Sequence, residues 1–175
     1  MTTTFQTPTT DQTEATGAER EIRALLARLA DHWTRNDAAG YASEFTQDSD
    51  YVAFDGRHLR GRAANQALHA HLFATVLRGT RLVMEVESVR MLTPTVAVAH
   101  ASGAVLFPWQ PKVTRRRFSR QTFVLVHRDG RWWIEAFHNT RVRPVRTEGR
   151  GFELATRLIH LRAAISAAWA RAWQS

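Results

Sequence analysis

The stretch TRLVMEVESVRMLTPTVAVAHASGAVLF, from Thr80 to Phe107, decides the fold. Before it, apolar residues recur at the three- and four-residue steps of helices. Within it they alternate with other residues, which is typical of strands with one buried face. Thr93 and Pro94 turn the chain between two such strands. Two more strands are predicted over 117–128 and 131–142, joined by Asp129 and Gly130, a strong hairpin signal. Residues 80–142 therefore predict an antiparallel meander of four strands.

Three helices are predicted before this meander. A capping box formed by Thr16 and Glu19 begins the first helix, and Asn36 and Asp37 cap a short second helix that runs to residue 45. The third spans 62–77. The apolar face of the first helix consists of Ile22, Leu25, Leu26, Leu29 and Trp33; that of the third of Ala64, Leu68, Leu72 and Val76, with His69, Phe73 and Leu77 beside them.

The segment between the second and third helices predicts a small hairpin. Residues 46–49 are interpreted as a turn and 51–54 as a strand, and Asp55 and Gly56 make the hairpin turn before residues 57–60 return. Helices segregated from an antiparallel sheet make an α+β fold. A twisted sheet wrapped around the first helix would form a cone with a pocket inside.

Outside this domain, which we place at 17–148, the two ends of the chain differ from it. Threonine occupies eight of the first sixteen positions, so 1–16 is expected to be a disordered tail. Residues 149–175 are expected to form an amphipathic helix that packs over the cone, across a dimer, or in a partner's groove. Its apolar stripe is Leu154, Leu158, Leu161, Ile165, Trp169 and Trp173.

Composition excludes several classes of protein. The chain has 175 residues, is 44% hydrophobic and contains no cysteine, which argues against wholesale disorder, thiol catalysis and thiolate metal sites. No apolar run has the ~18 residues of a membrane span, and the first residues lack a secretory signal, so a cytoplasmic location is expected. The net charge of +8 comes from arginine, with Lys112 the single lysine. The basic loop around Arg115 to Arg117 is a solvated hairpin, or it recognises an acidic ligand, an acyl-carrier protein or, less in keeping with the sequence, nucleic acid.

Several segments together resemble the nuclear transport factor 2-like (NTF2-like) superfamily. They cover about 125 residues in the right order, and are closest in pattern to its SnoaL-like branch of SgcJ/EcaC type, found in actinobacterial secondary metabolism. They are Trp33–Asp37, Tyr41–Asp48, Asp50–Gly56, Leu59–Arg62, His69–Phe73, Ser119–Val126 and Ala136–Val142.

The resemblance implies an NTF2-like cone, with three helices packed in a curved antiparallel sheet and an extra C-terminal helix, and a homodimer formed through the sheet. It also implies a cofactor-independent pocket for a hydrophobic polycyclic molecule of polyketide or enediyne antibiotic biosynthesis. Any chemistry would be acid–base: isomerisation, cyclisation or hydrolysis. The alternative is a non-catalytic module that binds a ligand or dimerises, because this fold hosts both kinds of protein.

The chain also departs from these families. Aligned with ketosteroid isomerases, the position of the catalytic base falls on or beside Ala53, and the acid/base aspartate of SnoaL-type cyclases is not matched to any residue here. The "oxidoreductase" label often given to SgcJ/EcaC relatives has no support, because the chain lacks a G-x-G-x-x-G motif after a strand. No cofactor is therefore predicted.

The candidate catalytic residues are three histidines and two residues of the early hairpin. Histidine exchanges protons near neutral pH, and a buried imidazole needs a partner or a cavity. The candidates are His69, His138, His100, Tyr51 and Asp50. For each histidine the alternative is a structural hydrogen bond, and for Asp50 it is capping of the adjacent loop.

The candidate ligand-binding residues are Trp33, Phe54, Phe73, Gln121 and Asn139. By simple alternation Tyr51 and Phe54 point to opposite faces, so that at most one of them would line the cavity. No metal site is predicted, because His69 and His71 lie two apart on a helix and point in different directions. Trp132 and Trp133 lie on opposite faces of the last strand, one packed inside and one at a dimer surface.

Overall fold

The computed structural model describes residues 10–114, 117–143 and 148–172. Within these ranges it contains four helices and six strands. The helices are α1 (Thr10–Thr34), α2 (Ala38–Ser43), α3 (Arg62–Ala74) and α4 (Arg150–Ala172). The strands are β1 (Phe45–Val52), β2 (His58–Arg60), β3 (Arg81–Thr93), β4 (Val96–Leu106), β5 (Ser119–Arg128) and β6 (Arg131–Arg141).

The six strands form one sheet in the order β2-β1-β6-β5-β4-β3. The α+β class and the NTF2-like arrangement are confirmed, and so is the predicted meander, since β3 to β6 pair as consecutive antiparallel strands. The sheet is mixed, however, because β1 pairs with β6 in parallel. The turn predicted over 46–49 is wrong: these residues belong to β1, and the polar side chains of Thr46 and Ser49 are buried there.

Helix α1 begins earlier than its sequence predicts. It starts at Thr10, so the capping box at Thr16 is wrong, and the Glu19 carboxylate instead pairs with Arg23, one turn on, at 2.8 Å. Such an i,i+4 pair belongs to a helix interior. Residues 1–9 of the predicted tail lie outside the described residues. Asp37 does cap α2, accepting a hydrogen bond from the Gly40 amide.

The core lies between the helices and the concave face of the sheet. The α1 stripe is fully buried there. Strand β4 turns its alanines, Ala97, Ala99 and Ala101, toward this core, and the half-buried Val96 and Val98 toward the other face. Because alanine side chains are short, they leave space above the sheet for larger groups from the helices and from β5. On α3 the buried residues are Asn65, His69 and Phe73, whereas Val76, beyond the end of the helix, is exposed.

A β-bulge in β6 decides which residues face the cavity. Val124 pairs with Ala136 and Leu125 with Ile134, so Glu135 is an extra residue on β6. A bulge changes the face on which the following residues lie. Ile134 and Phe137 are therefore both in the core. The expectation that His138 shares the face of Ile134 is wrong: His138 is exposed.

Two compact units meet in the sequence between Val142 and Arg143. The second contains α4, whose described apolar side chains are exposed to solvent. Its predicted stripe residue Trp173 and the strand-ending Pro144 lie outside the described residues. In the part of the chain that the structure describes, no helix combines the length and apolar character needed to cross a membrane. The exposed apolar residues of α4 are Phe152, Leu154, Leu158, Ile159, Leu161, Ile165 and Trp169.

Candidate functional site

A cavity of about 260 Å³, partly open to solvent, lies in the first unit. Most of its walls are aliphatic and aromatic. Its polar groups fall into two sets, one contributed by β1 and the helices and one by β5, β6 and Arg117, which lies just before β5. Its described lining residues are Leu29, Trp33, Tyr41, Tyr51, Ala53, Phe54, Leu68, His69, Leu72, Leu77, Leu82, Met84, Ala104, Val105, Phe107, Arg117, Ser119, Gln121, Phe123, Phe137, Asn139 and Arg141.

His69 is a buried titratable group on the helix side of the cavity. Its Nδ1 lies 2.9 Å from the carbonyl oxygen of Asn65, one turn back on α3. A carbonyl accepts hydrogen bonds only, so Nδ1 carries the proton and Nε2 of the neutral ring is an acceptor. The Tyr51 hydroxyl lies 3.5 Å from Nε2 and is the donor in this long contact. The backbone of α3 thus fixes the tautomer of His69.

Burial holds this group of side chains uncharged at neutral pH. It lowers the pKa of His69 to about 4, because the charged imidazolium would lose its hydration. It raises the pKa of Tyr51 to about 12 and that of Tyr41 well above its usual value. The charge of Tyr51, when it ionises, adds to the rise in the pKa of Tyr41.

Aromatic rings enclose the imidazole of His69. The ring centroids of Tyr41, Trp33 and Phe73 lie 4.4, 5.6 and 5.7 Å from that of His69. The Trp33 indole N–H donates to the Thr80 hydroxyl at 3.0 Å, so Trp33 presents only its ring to the cavity. Phe73 supports Trp33 and His69 from behind, without being a lining residue. This packing restricts the orientation of the His69 ring.

The sheet contributes a polar wall on the concave face. Gln121 on β5 is opposite Asn139 on β6, and Ser119 is opposite Arg141. The Gln121 amide nitrogen donates to the Ser119 hydroxyl at 3.3 Å, and this hydroxyl donates to the carbonyl of Gly103. Among the described residues, the side-chain oxygens of Gln121 and Asn139 have no hydrogen-bond partner. Both oxygens are buried in the wall rather than exposed in the cavity.

Two arginines complete this wall, and each stacks on an aromatic ring. The guanidinium of Arg141 lies 4.5 Å from the ring centroid of Phe54, and that of Arg117 lies 4.4 Å from that of Phe107. Phe54 is 55% exposed, which places the Arg141 end of the wall at the opening. The stacking fixes each guanidinium at a defined position in the wall.

Six of the predicted site residues line the cavity: His69, Tyr51, Trp33, Phe54, Gln121 and Asn139. The prediction that Tyr51 and Phe54 could not both line it is wrong. Strand β1 ends at Val52, and Ala53 to Gly56 form a turn in which the Gly56 amide donates to the Ala53 carbonyl. The alternation of a strand therefore does not extend to Phe54.

Three of the predicted catalytic residues lie away from the cavity. His138 and His100 flank Thr122 in adjacent strands on the outer face of the sheet, and Nδ1 of His100 lies 3.3 Å from the Thr122 hydroxyl. Asp50 is exposed and its carboxylate pairs with His58 at 2.6 Å. The structure therefore does not bring these three side chains together with His69.

The residues missed as site residues are Tyr41, Ser119, Arg117 and Arg141. Tyr41, on the short helix α2, belongs to the core and also lines the cavity. Arg141 follows Phe137 and Asn139 at two-residue steps along β6. If either of these residues is known to face the cavity, strand alternation places Arg141 on the same face. The described residues contain no group of three or more His, Asp or Glu side chains that could hold a metal ion. Trp132 is buried, whereas the half-buried Trp133 contacts the guanidinium of Arg131.

Comparison with known proteins gives one family and several related structures. The family model described as a SnoaL-like domain matches residues 22–144. A Nostoc punctiforme domain of unknown function with a cystatin-like fold is 31% identical; the match covers 91% of this chain and 99% of that one, with a TM-score of 0.71.

Two further crystal structures match less of the chain. A Caulobacter vibrioides protein with a cystatin-like fold is 26% identical, with 73% and 92% of the two chains covered and a TM-score of 0.60. An NTF2-like protein of unknown function from Shewanella oneidensis is 19% identical, with 70% and 98% covered and a TM-score of 0.60. The comparison with curated proteins gives no match.

Proposed function

The chain belongs to the SnoaL-like domain family, and from this premise we propose that it binds an apolar, ring-containing small molecule and transfers protons on it without a cofactor. One observation carries the proposal: an uncharged, buried imidazole, His69, meets a tyrosine hydroxyl in the wall of an apolar cavity. Such a pairing supplies a proton acceptor and a proton donor at neighbouring points, as isomerisation, cyclisation and hydrolysis require.

The proposed roles follow from the directions of the hydrogen bonds. Tyr51, whose pKa is raised to about 12, stays protonated. When a ligand is bound, its single O–H turns from Nε2 of His69 to a ligand carbonyl or to the oxyanion that develops from it, which leaves Nε2 free. His69, with Nδ1 held by the Asn65 carbonyl, accepts a proton at Nε2. Tyr41 packs against the His69 ring and stays protonated, because burial raises its pKa well above the usual value. A pKa of about 4 leaves His69 unprotonated, and thus able to accept, over the whole physiological range.

We further propose that the ligand comes from secondary metabolism, of the polyketide or enediyne type, as the SgcJ/EcaC subtype would imply. An apolar cavity with a few convergent polar groups supports a small-molecule ligand of this kind. Residues 17–148 would be the functional domain. Its homodimer would form through the outer face of the sheet, where Val96, Val98 and Val124 are half-buried; sedimentation of the purified chain tests this.

The second candidate function is binding without turnover, in which the same cavity sequesters a product or serves a dimerisation module. It is favoured by the low pKa of His69, because a weaker base abstracts protons from carbon less readily. The two candidates predict the same binding and differ in proton exchange.

The test uses 1-tetralone, a two-ring ketone, as a probe. Exchange of its α-protons in deuterated buffer is followed by NMR. Binding is followed by the change in total tryptophan fluorescence that a ligand beside Trp33, one of six tryptophans, should cause. Catalysis predicts exchange above the buffer rate that falls by about 10²-fold or more in His69→Gln and Tyr51→Phe. His138→Gln, a histidine substitution outside the cavity, is the matched control and should not change the rate. Binding without exchange supports the second candidate function. The absence of both binding and exchange counts against both candidate functions.

A further inference from the structure

Helix α4 carries an apolar stripe that the cavity and its proposed chemistry do not use. Each residue turns an α-helix by about 100°, so five apolar residues of α4 fall within an arc of about 80° that runs about 22 Å along the helix. All five are exposed: Leu154, Leu158, Leu161, Ile165 and Trp169. A continuous exposed apolar surface marks a place where another molecule binds.

Arginines border this stripe on both sides. With the same turn per residue, Arg150 and Arg157 lie beside one edge of the stripe and Arg162 lies beside the other, and all three are exposed. The helix contains four arginines and one acidic residue, Glu153, in a chain with a net charge of +8. The molecule that covers the stripe therefore has to combine an apolar centre with negative charge along both borders.

A second copy of α4 does not supply that negative charge. When two helices pair along apolar stripes, the residues that border the stripes face one another. In a parallel pair Arg157 would face the partner's Arg162, and in an antiparallel pair centred on the stripe Arg162 would face the partner's Arg162. Like charges at such positions oppose pairing, so the arginines disfavour a helix pair between copies of this chain.

The surface of an anionic lipid membrane does combine the two. Its acyl chains receive leucine, isoleucine and tryptophan side chains from a helix that lies in the interface, and its charged headgroups lie along both sides of that helix. Long arginine side chains at the borders extend their guanidinium groups to the headgroups while their methylenes follow the apolar stripe. An acidic groove of a protein would need carboxylates fixed along both rims, whereas anionic lipids diffuse to the arginines wherever these lie.

We propose that α4 attaches this protein to anionic membrane surfaces. Leu158, Leu161 and Ile165 insert among the acyl chains, and Arg157 and Arg162 bind lipid phosphates on the two sides of the stripe. Guanidinium groups bind phosphate with charge-assisted and often bidentate hydrogen bonds. The attachment uses no residue of the cavity, so its test and that of the proposed function have independent outcomes.

Co-sedimentation of the full chain with lipid vesicles tests this attachment. One kind of vesicle is phosphatidylcholine alone, and the other is an equal mixture of phosphatidylcholine and phosphatidylglycerol. We expect the chain to bind the anionic vesicles at least about tenfold more tightly, because each arginine near such a surface strengthens binding roughly fivefold. Added salt should weaken this binding.

Two pairs of variants separate the stripe and its borders from the rest of the chain. Leu161→Gln, which keeps the helix propensity, should lower the affinity for anionic vesicles at least about tenfold. Ile159→Gln is its control, because Ile159 is exposed but lies about 80° outside the stripe. Arg157→Gln should lower the affinity about fivefold. Arg120→Gln removes the same charge from a guanidinium that pairs with Glu87 on the sheet, and should leave the affinity unchanged.

Equal binding to both kinds of vesicle overturns the proposal, and so does an effect of Arg120→Gln as large as that of Arg157→Gln. Binding to neither kind overturns it in favour of an acidic protein groove. A dimer that Leu161→Gln dissociates and Ile159→Gln does not would overturn it in favour of a second copy of the chain. Should Leu161→Gln fail to fold, Ile165→Gln, one turn further along the same stripe, decides the question.

Discussion

The Tyr51 hydroxyl lies 3.5 Å from Nε2 of His69, although β1 and α3 bring the two residues together from positions 18 apart in the chain. The contact has one direction, because the Asn65 carbonyl occupies the Nδ1 proton of the same ring. It places a hydroxyl that retains its proton beside a ring nitrogen that lacks one. The predictions below follow from the environment of this pair and from the parts of the fold that hold it.

Acidification should destabilise the protein through His69. Its pKa is about 4 in the folded chain and about 6.5 when the chain unfolds, so between these values the unfolded state binds the additional proton. Stability is therefore complete above pH 6.5 and is lost as the pH falls toward 4, by roughly 3 kcal/mol. Urea unfolding at neutral pH and near pH 4 measures the loss of the free energy of unfolding on acidification. This loss should be smaller by this amount in His69→Gln than in the unsubstituted chain. Equal losses in the two proteins would show that His69 is not held neutral by burial.

The two tyrosines of the chain should resist ionisation in the folded state. Burial raises the pKa of Tyr51 from 10 to about 12 and that of Tyr41 well above 10. Since the folded state favours the protonated form, stability is present below pH 10 and decreases as the pH rises through this range. Titration followed by the near-ultraviolet absorbance of tyrosinate should give no step near pH 10 while the chain is folded. In Tyr51→Phe, a single transition from Tyr41 should remain. A normal step near pH 10 would mean that the hydroxyls meet solvent.

Glu44 should contribute more to the free energy of unfolding than an exposed carboxylate does. Its side chain is only 6% exposed, and it accepts hydrogen bonds from Arg28 at 2.8 and 3.2 Å and from Arg131 at 3.3 Å. Glu44→Gln removes charge-assisted bonds and should cost about 1.5–3 kcal/mol. Glu87→Gln is the control, because its pair with the exposed Arg120 should contribute less than about 1 kcal/mol. Urea unfolding measures the free energy of unfolding of each variant. Equal losses in Glu44→Gln and Glu87→Gln would contradict this prediction.

The sequence predicted the order of the helices and strands because hydrophobic spacing reports local periodicity well. It named His69, Gln121 and Asn139 as candidate site residues, and the structure places all three in the cavity wall. The prediction from sequence failed where a strand departs from regular two-residue alternation. The bulge at Glu135 moved His138 outward and Arg141 inward, and no residue type at that position signals a bulge. The parallel pairing of β1 with β6 was missed because it is non-local, and residues 46–49 resemble a turn by composition alone.

Gly103 should be the glycine that least tolerates a side chain, because β3 crosses it closely. A Cβ there would overlap the carbonyl oxygen of Val83 and lie 2.9 Å from the Cα of Met84, both backbone atoms that cannot move aside without breaking the strand pair. Gly103→Ala should therefore destabilise the fold by about 2 kcal/mol or more. It should also disturb the cavity, because the Gly103 carbonyl holds the Ser119 hydroxyl that orients Gln121. Gly17→Ala in α1, where a Cβ meets nothing within 4 Å, should instead stabilise by roughly 0.5–1 kcal/mol. Thermal unfolding of both variants measures the two effects. A Gly103→Ala variant as stable as the unsubstituted chain would contradict the close approach of β3.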